Sequence, residues 1–160
     1  YMVSTILGSC VAVCLYDPIL KIGGINHYML PMWNGQGLAS PKYGNIAIEK
    51  LLEKMISLGS NKRNLKAKVF GGANIFETKL QQFQIGERNI AIAEQTLEEF
   101  HIPIVSCSTG GTLGRKIQYN TYTGLLGQKL IEKKNSEIQD LEKMTCRVLA
   151  QNESQSTGQK

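Results

Sequence analysis

Residues 4–31, STILGSCVAVCLYDPILKIGGINHYMLP, decide how the rest of the chain is read. Residues 11–16 form an apolar run that predicts a buried strand, and Asp17-Pro18 then predicts a turn. Residues 22–30 predict the hairpin partner of that strand, which ends at Pro31. Because Gly23 and Gly24 lie inside this second strand, we expect a bulge or a close backbone approach there.

The chain on either side continues with strand and helix patterns. Residues 3–7 predict a strand that enters Gly8-Ser9. A helical period follows residue 45 and ends near Gly59, and a second helix ends before Pro103. The remaining predicted strands are residues 67–70, 104–107, 116–121 and 125–131.

This order predicts an α/β fold, a layered α/β sandwich with a mixed, largely antiparallel sheet and two main helices plus a C-terminal helix. The C-terminal helix is outlined by apolar residues between Ile138 and Val148. We therefore expect three parts: an α/β domain over residues 1–134, this helix over residues 135–150, and a polar, disordered tail over residues 151–160.

Composition excludes several classes of function. The 160 residues suit one domain with a real core, and the net charge of +5 comes from scattered basic residues without a stripe. We therefore expect no nucleic-acid binding. No run approaches the eighteen or so apolar residues of a membrane span, so direct membrane insertion is not expected.

The cysteines lie at positions 10, 14, 107 and 146. Cys10 and Cys14 would be separated by about 13 Å along a regular strand, which is too far for a disulfide or a shared metal. With two histidines in the chain, no zinc set assembles, and we expect no cofactor and no metal. The pattern indicates a reduced, cytoplasmic protein.

Cys10 and His27 are the candidate catalytic pair. A cysteine thiol has a pKa of about 8.5 and is mostly protonated at neutral pH, so it needs a base or a stabilising charge. Imidazole titrates near neutral pH, and two neighbouring strands would bring His27 towards Cys10. The turn at Ser9 and Cys10 offers backbone N–H groups to an oxyanion. The alternative is that both side chains are packed in the core.

Two glycine-rich segments invite a phosphate-binding interpretation. Residues 110–116, GGTLGRK, fail the P-loop pattern because Ile117 stands where Ser or Thr is required. Gly71-Gly72 likewise lacks the dinucleotide-binding fingerprint. Both segments are better explained as tight turns that border a site than as phosphate-binding loops.

Five motifs in order resemble the chemoreceptor glutamine deamidase CheD family, from about residue 4 to residue 130. They are LGSCVAVCLYD (7–17), GGINHYMLP (23–31), KVFGGANIF (68–76), IGERN (85–89) and TGGTLGRKIQYNTYTG (109–124). The resemblance implies an α/β sandwich that hydrolyses the side-chain amide of particular chemoreceptor glutamines to glutamate. It also implies a CheC-type phosphatase as a binding partner.

The resemblance places the nucleophile on Cys10 and the general acid/base on His27. The family's third residue, a threonine that orients the histidine, falls by spacing on Ser4, with Thr5 as the alternative. Two other functions remain open. One is a non-catalytic binding module that regulates a CheC-type phosphatase, and the other is a thiol peptidase or small-molecule amidase.

Overall fold

The computed structural model describes residues 1–32, 35, 39–74 and 85–132. Seven strands, two α-helices and a short 3-10 turn (Lys62–Asn64) lie within these residues. The strands and α-helices in chain order are β1 (Met2–Leu7), β2 (Val11–Asp17), β3 (Ile22–Ile25), α1 (Gly44–Ser57), β4 (Lys66–Gly71), α2 (Ile85–Glu99), β5 (Ile104–Thr109), β6 (Gly114–Asn120) and β7 (Leu126–Ile131).

The strands form two sheets. A four-stranded sheet has the order β3-β2-β4-β5 and is mixed, because β4 and β5 run parallel while the other neighbours are antiparallel. The second sheet is antiparallel, with the order β1-β6-β7. Parallel neighbours need a crossover connection, and α2 supplies it between β4 and β5.

The helices cover one face of the four-stranded sheet. The core between them contains alternate residues of β2 and the apolar faces of α1 and α2, and these residues are Val11, Val13, Leu15, Ile48, Leu52, Met55, Ile92, Ala93 and Leu97. Both helices are amphipathic at a period of 3.6 residues, so each can bury a single apolar face on a sheet.

The three-stranded sheet covers the opposite face. The smaller core between the two sheets contains Leu7, Cys10, Ala12, Phe70 and Ile117. Strand β2 is therefore buried on both faces, which explains why residues 11–15 are apolar without alternation. The layers are helices, four-stranded sheet and three-stranded sheet, and Cys10 lies between the two sheets.

Tyr119 of β6 joins the two sheets. Its ring is buried, and its hydroxyl donates a hydrogen bond of 3.0 Å to the Leu15 carbonyl of β2. A Cβ on Gly23 of β3 would lie 2.6 Å from that hydroxyl, so glycine is required at this crossing. The close approach expected at Gly23 is confirmed, and β3 pairs with β2 in an unbroken register.

The turn between β2 and β3 is held by Asp17. Its Oδ1 accepts hydrogen bonds from the N–H groups of Ile19 at 2.8 Å and Leu20 at 3.1 Å. Burial by itself would raise the pKa of the Asp17 carboxyl. The Leu20 N–H, the neighbouring Ser60 hydroxyl and the Ile19 N–H outweigh burial, and the pKa lies below its ordinary value.

The predicted fold class is confirmed in its helices and its mixture of strands, with two refinements. The strands divide into two sheets, whereas the sequence predicted one, and β3 ends at Ile25 instead of continuing to residue 30. The predicted C-terminal helix and polar tail lie outside the described residues. Within the described ranges, no helix is long and apolar enough to cross a membrane.

Candidate active site

Cys10 lies where the chain passes from one sheet to the other. Strand β1 belongs to the three-stranded sheet and β2 to the four-stranded sheet, and Gly8, Ser9 and Cys10 make the connection. The Cys10 side chain is 2% exposed and packs in the core between the sheets. The thiol is therefore shielded from bulk water.

The register between β2 and the segment after β3 brings His27 to Cys10. Cys14 pairs with Ile25, and Val11 exchanges two backbone hydrogen bonds with Tyr28. The same register places His27 opposite Ala12, so Cys10 and Cys14 are its two diagonal neighbours on the same face. Diagonal neighbours have Cα atoms about 7–8 Å apart, within reach of an imidazole.

Asn26 turns the backbone out of the ladder just before His27. In a regular ladder the Val13 N–H would donate to the Asn26 carbonyl, but it donates to Asn26 Oδ1 at 2.9 Å. The Asn26 N–H still donates to the Val13 carbonyl at 3.0 Å. The Asn26 side chain thus takes the place of the Asn26 backbone carbonyl as the acceptor for the Val13 N–H. As a result β3 ends early, and the peptide before His27 is turned away from β2.

Thr5 contacts the imidazole from the other sheet. Its Oγ1 lies 2.9 Å from His27 Nδ1, and the Thr5 side chain is 1% exposed. Ser4 is exposed, because successive residues of a strand point to opposite faces. The spacing favoured Ser4, with Thr5 as the alternative, and the hydroxyl that contacts His27 in the structure is that of Thr5.

His27 has the nitrogen arrangement that a general base needs. If Nδ1 carries the proton, it donates to Thr5 Oγ1, and Nε2 then offers a lone pair. Nε2 is buried and has no hydrogen-bond partner among the described residues. An imidazole that is held at one nitrogen and open at the other can take and return a proton.

Three glycine-rich segments meet around Cys10. The Gly72 N–H donates to the Cys10 carbonyl at 2.9 Å, and the Ala73 N–H donates to the Gly8 carbonyl at 2.9 Å. The Gly110 N–H donates to the Gly71 carbonyl at 3.0 Å. The first glycine pair thus borders Cys10 and the second borders the first, with positive φ at all four glycines, and residues 114–120 that follow the second pair are strand β6.

Only glycine fits at position 71. Its φ is +108°, a conformation that residues with a Cβ rarely adopt, and a Cβ there would collide with the Cys10 carbonyl oxygen. Arg115 supports the neighbouring turn, because its Nη2 donates to the Gly110 carbonyl at 2.8 Å. Burial lowers the pKa of this guanidinium.

Asn89 of α2 is a site residue that the sequence reasoning missed. Its Nδ2 donates to the carbonyls of Ser9 and Met29, at 3.0 Å each, and its side chain is fully buried. The Tyr28 hydroxyl donates to the Asn89 carbonyl at 2.5 Å. The sequence pattern that could have indicated Asn89 is its spacing of four residues from Ala93, which is in turn four residues from Leu97. This spacing places the Asn89 amide on the buried face of the helix.

Two further cysteines lie among the described residues. Cys14 is 1% exposed, and burial raises the pKa of its thiol well above the ordinary value, which makes it a poor nucleophile. Cys107 is exposed on the edge strand β5 and lies outside the layer that contains His27. Cys146 lies outside the described residues.

Comparison with known proteins supplies the family. A sequence model described as CheD chemotactic sensory transduction matches residues 29–129. The chain belongs to the CheD family. The CheD-family match begins two residues after His27, so it does not itself assign Cys10 or His27 a role.

Curated relatives carry the same family name. A protein of Trichlorobacter lovleyi named "Probable chemoreceptor glutamine deamidase CheD" is 55% identical over 124 residues, 78% of this chain and 77% of the relative. A protein of Sulfurimonas denitrificans with the same name is 50% identical over 133 residues, 82% of this chain and 85% of the relative. A third, from Stenotrophomonas maltophilia strain K279a, is 40% identical over 84% of this chain and 68% of its own length.

Proposed function

We propose that this CheD-family chain hydrolyses the side-chain amide of glutamines on chemoreceptors to glutamate and releases ammonia. The observation that carries the proposal is the hydrogen bond between Thr5 Oγ1 and His27 Nδ1 across the two sheets, on the face that also holds Cys10. The printed names of the relatives support this substrate. We expect the reaction in the cytoplasm, where the receptor helices that serve as substrate are located.

The first half of the reaction forms a thioester. His27 Nε2 takes the thiol proton, and Cys10 Sγ attacks the carbonyl carbon of the glutamine side chain. The carbonyl oxygen becomes an oxyanion, which backbone N–H groups of the turn at Ser9 and Cys10 stabilise. His27 then returns the proton to the nitrogen, the C–N bond breaks, and ammonia leaves.

The second half restores the thiol. His27 takes a proton from a water molecule, the resulting hydroxide attacks the thioester carbon, and the C–S bond breaks to give a carboxylic acid and Cys10 thiolate. His27 then returns its proton to the thiolate, and the carboxylic acid loses its proton to water to give glutamate. Thr5 holds the ring in one orientation through both halves, so that Nε2 faces first the thiol and then the water. The product differs from the substrate by one negative charge on the receptor helix.

The test uses a receptor cytoplasmic fragment, with ammonia release and peptide mass spectrometry as the two measurements. Cys10→Ala is expected to abolish both ammonia release and the mass change at glutamine. Cys107→Ala is the matched control, because it removes a thiol that lies outside the site and is expected to leave the rate unchanged. Retained deamidation by Cys10→Ala would contradict the assignment of the nucleophile.

A regulatory partner is a second part of the proposal. Ile104 and Val105 on β5 and Leu130 on β7 are exposed apolar residues of edge strands, and Gln128 of β7 bonds Ser108 of β5 at 2.9 Å. Exposed apolar edges favour partner binding, and the family resemblance suggests a CheC-type phosphatase. Val105→Glu is expected to weaken binding to such a phosphatase while deamidation persists; unchanged binding would exclude this surface.

A further inference from the structure

The two strands that carry Cys10 and His27 separate directly beside the site. Continued past Val11 and Tyr28, a regular ladder would pair Ser9 with Leu30. Instead the Leu30 N–H donates to the Lys42 carbonyl at 2.9 Å, and the Leu30 carbonyl accepts from the Gly44 N–H at 2.8 Å. The Ser9 carbonyl therefore lacks the ladder bond from Leu30.

Asn89 occupies the position of that missing bond. Its Nδ2 donates to the Ser9 carbonyl and to the Met29 carbonyl, at 3.0 Å each. One amide group on α2 thus connects the residue before Cys10 to the segment that carries His27. The Tyr28 hydroxyl donates to the Asn89 carbonyl, and burial together with the charge of Cys10 raises the pKa of that hydroxyl, so it remains a donor.

The Ser9 carbonyl and the Cys10 N–H belong to the same peptide group. No peptide bond in the described residues is cis, and in a trans peptide the C=O and N–H point in opposite directions. Because Asn89 holds the Ser9 carbonyl, the Cys10 N–H of this peptide points away from Asn89. The Cys10 side chain packs between the sheets, so the substrate carbonyl would arrive there.

We propose that Asn89 is a positioning residue that locks the Ser9–Cys10 peptide so that the Cys10 N–H faces the oxyanion. This inference rests on the proposed function, because it concerns the carbonyl step of the same site. It predicts that loss of the Asn89 amide slows attack on a carbonyl without changing the reactivity of the thiol itself.

Two small reagents separate these steps. Iodoacetamide alkylates Cys10 with loss of iodide and forms no oxyanion, so its rate reports the thiolate. p-Nitrophenyl acetate acetylates Cys10 through a tetrahedral oxyanion and releases p-nitrophenolate, so its rate reports the oxyanion donors as well. Both reagents must reach the same buried thiol, so the ratio of their rates cancels a change in access. Peptide mass spectrometry assigns each adduct to Cys10 and separates it from the exposed Cys107.

The variants are Asn89→Ala and Asn89→Leu, the second of which keeps roughly the side-chain volume and loses the donor. Removing an oxyanion donor costs an enzyme about 100-fold or more, so displacing one is expected to lower the acetylation rate about 10-fold or more. The alkylation rate is expected to stay within about 2-fold, because both bonds from Asn89 Nδ2 go to backbone carbonyls and neither goes to the thiol or to the imidazole. Thr96→Ala, a buried polar change on the same helix, is the control and should alter neither rate.

A parallel fall in both rates would overturn the inference, and so would an unchanged acetylation rate or the failure of both Asn89 variants to fold. Wild-type protein that is acetylated at Cys10 but releases no ammonia from receptor fragments would refute the proposed substrate. The ratio test on Asn89 would still stand in that case. Conversely, active deamidation with Asn89 variants indistinguishable from wild type would refute only the positioning role.

Discussion

Removal of the Thr5 hydroxyl should slow deamidation while the protein remains folded. Thr5→Val keeps the branched shape and deletes Oγ1, which lies 2.9 Å from His27 Nδ1. The ring then loses its anchor, and Nδ1 is left partly buried without this partner. An unsatisfied buried group costs about 1–3 kcal/mol. If that cost appears in the transition state, kcat falls roughly 5- to 160-fold.

The assay compares kcat for ammonia release from a receptor fragment in four proteins. Thr5→Ser keeps the hydroxyl and is expected to retain most of the wild-type rate, whereas Thr5→Val is not. Ser4→Ala removes the neighbouring hydroxyl, which is exposed and points to the other face of β1, so its rate should match wild type. Thermal unfolding of each variant shows whether a rate change comes from lost folding.

Two results would refute this reasoning. The first is a Thr5→Val protein that retains the wild-type kcat while remaining folded, because the hydrogen bond would then have no role in orienting His27. The second is a slow Ser4→Ala protein, which would return the orienting role to the residue that the family spacing favoured.

Three further predictions concern stability. Tyr119→Phe deletes the bond to the Leu15 carbonyl between the sheets and should lower the free energy of unfolding by about 1 kcal/mol in urea titrations, with kcat unchanged. Gly71→Ala forces a strained φ and a collision with the Cys10 carbonyl, so about 1–3 kcal/mol should be lost together with activity; an active, stable variant would contradict the geometry. Because the folded pKa of Asp17 is lowered, its carboxylate stabilises the fold above the unfolded value of about 3.9, and this contribution is lost as the pH falls through the folded value. Asp17→Asn should therefore show a shallower decrease in melting temperature below about pH 4 than wild type.

Local patterns predicted most of the elements, because helices and strands depend on the period of neighbouring residues. The continuous apolar run of β2 indicated a buried strand, and Gly59, with φ +105°, ends α1 as the sequence suggested. Strand β3 was predicted too long. The side chain of Asn26 replaces a backbone acceptor there, and hydropathy carries no information about such a substitution.

The choice between Ser4 and Thr5 shows what the local sequence pattern cannot predict. Both faces of β1 carry apolar residues, Val3 and Leu7 on one and Met2 and Ile6 on the other, so alternation alone leaves the buried face open. Pairing with β6 decides it, because Thr5 lies opposite Ile117, whose side chain packs between the sheets. The division into two sheets has the same origin, since strand partners are distant in sequence.

The sequence by itself determined the identity of the candidate nucleophile and base. Cys10 and His27 lie on consecutive segments of one hairpin, and hairpin register is a short-range property. Only the tertiary structure decided which groups hold them: Thr5 from the opposite sheet and Asn89 from a helix 80 positions along the chain. Contacts between distant segments arise from the packing of layers, and no local spacing in the sequence encodes that packing.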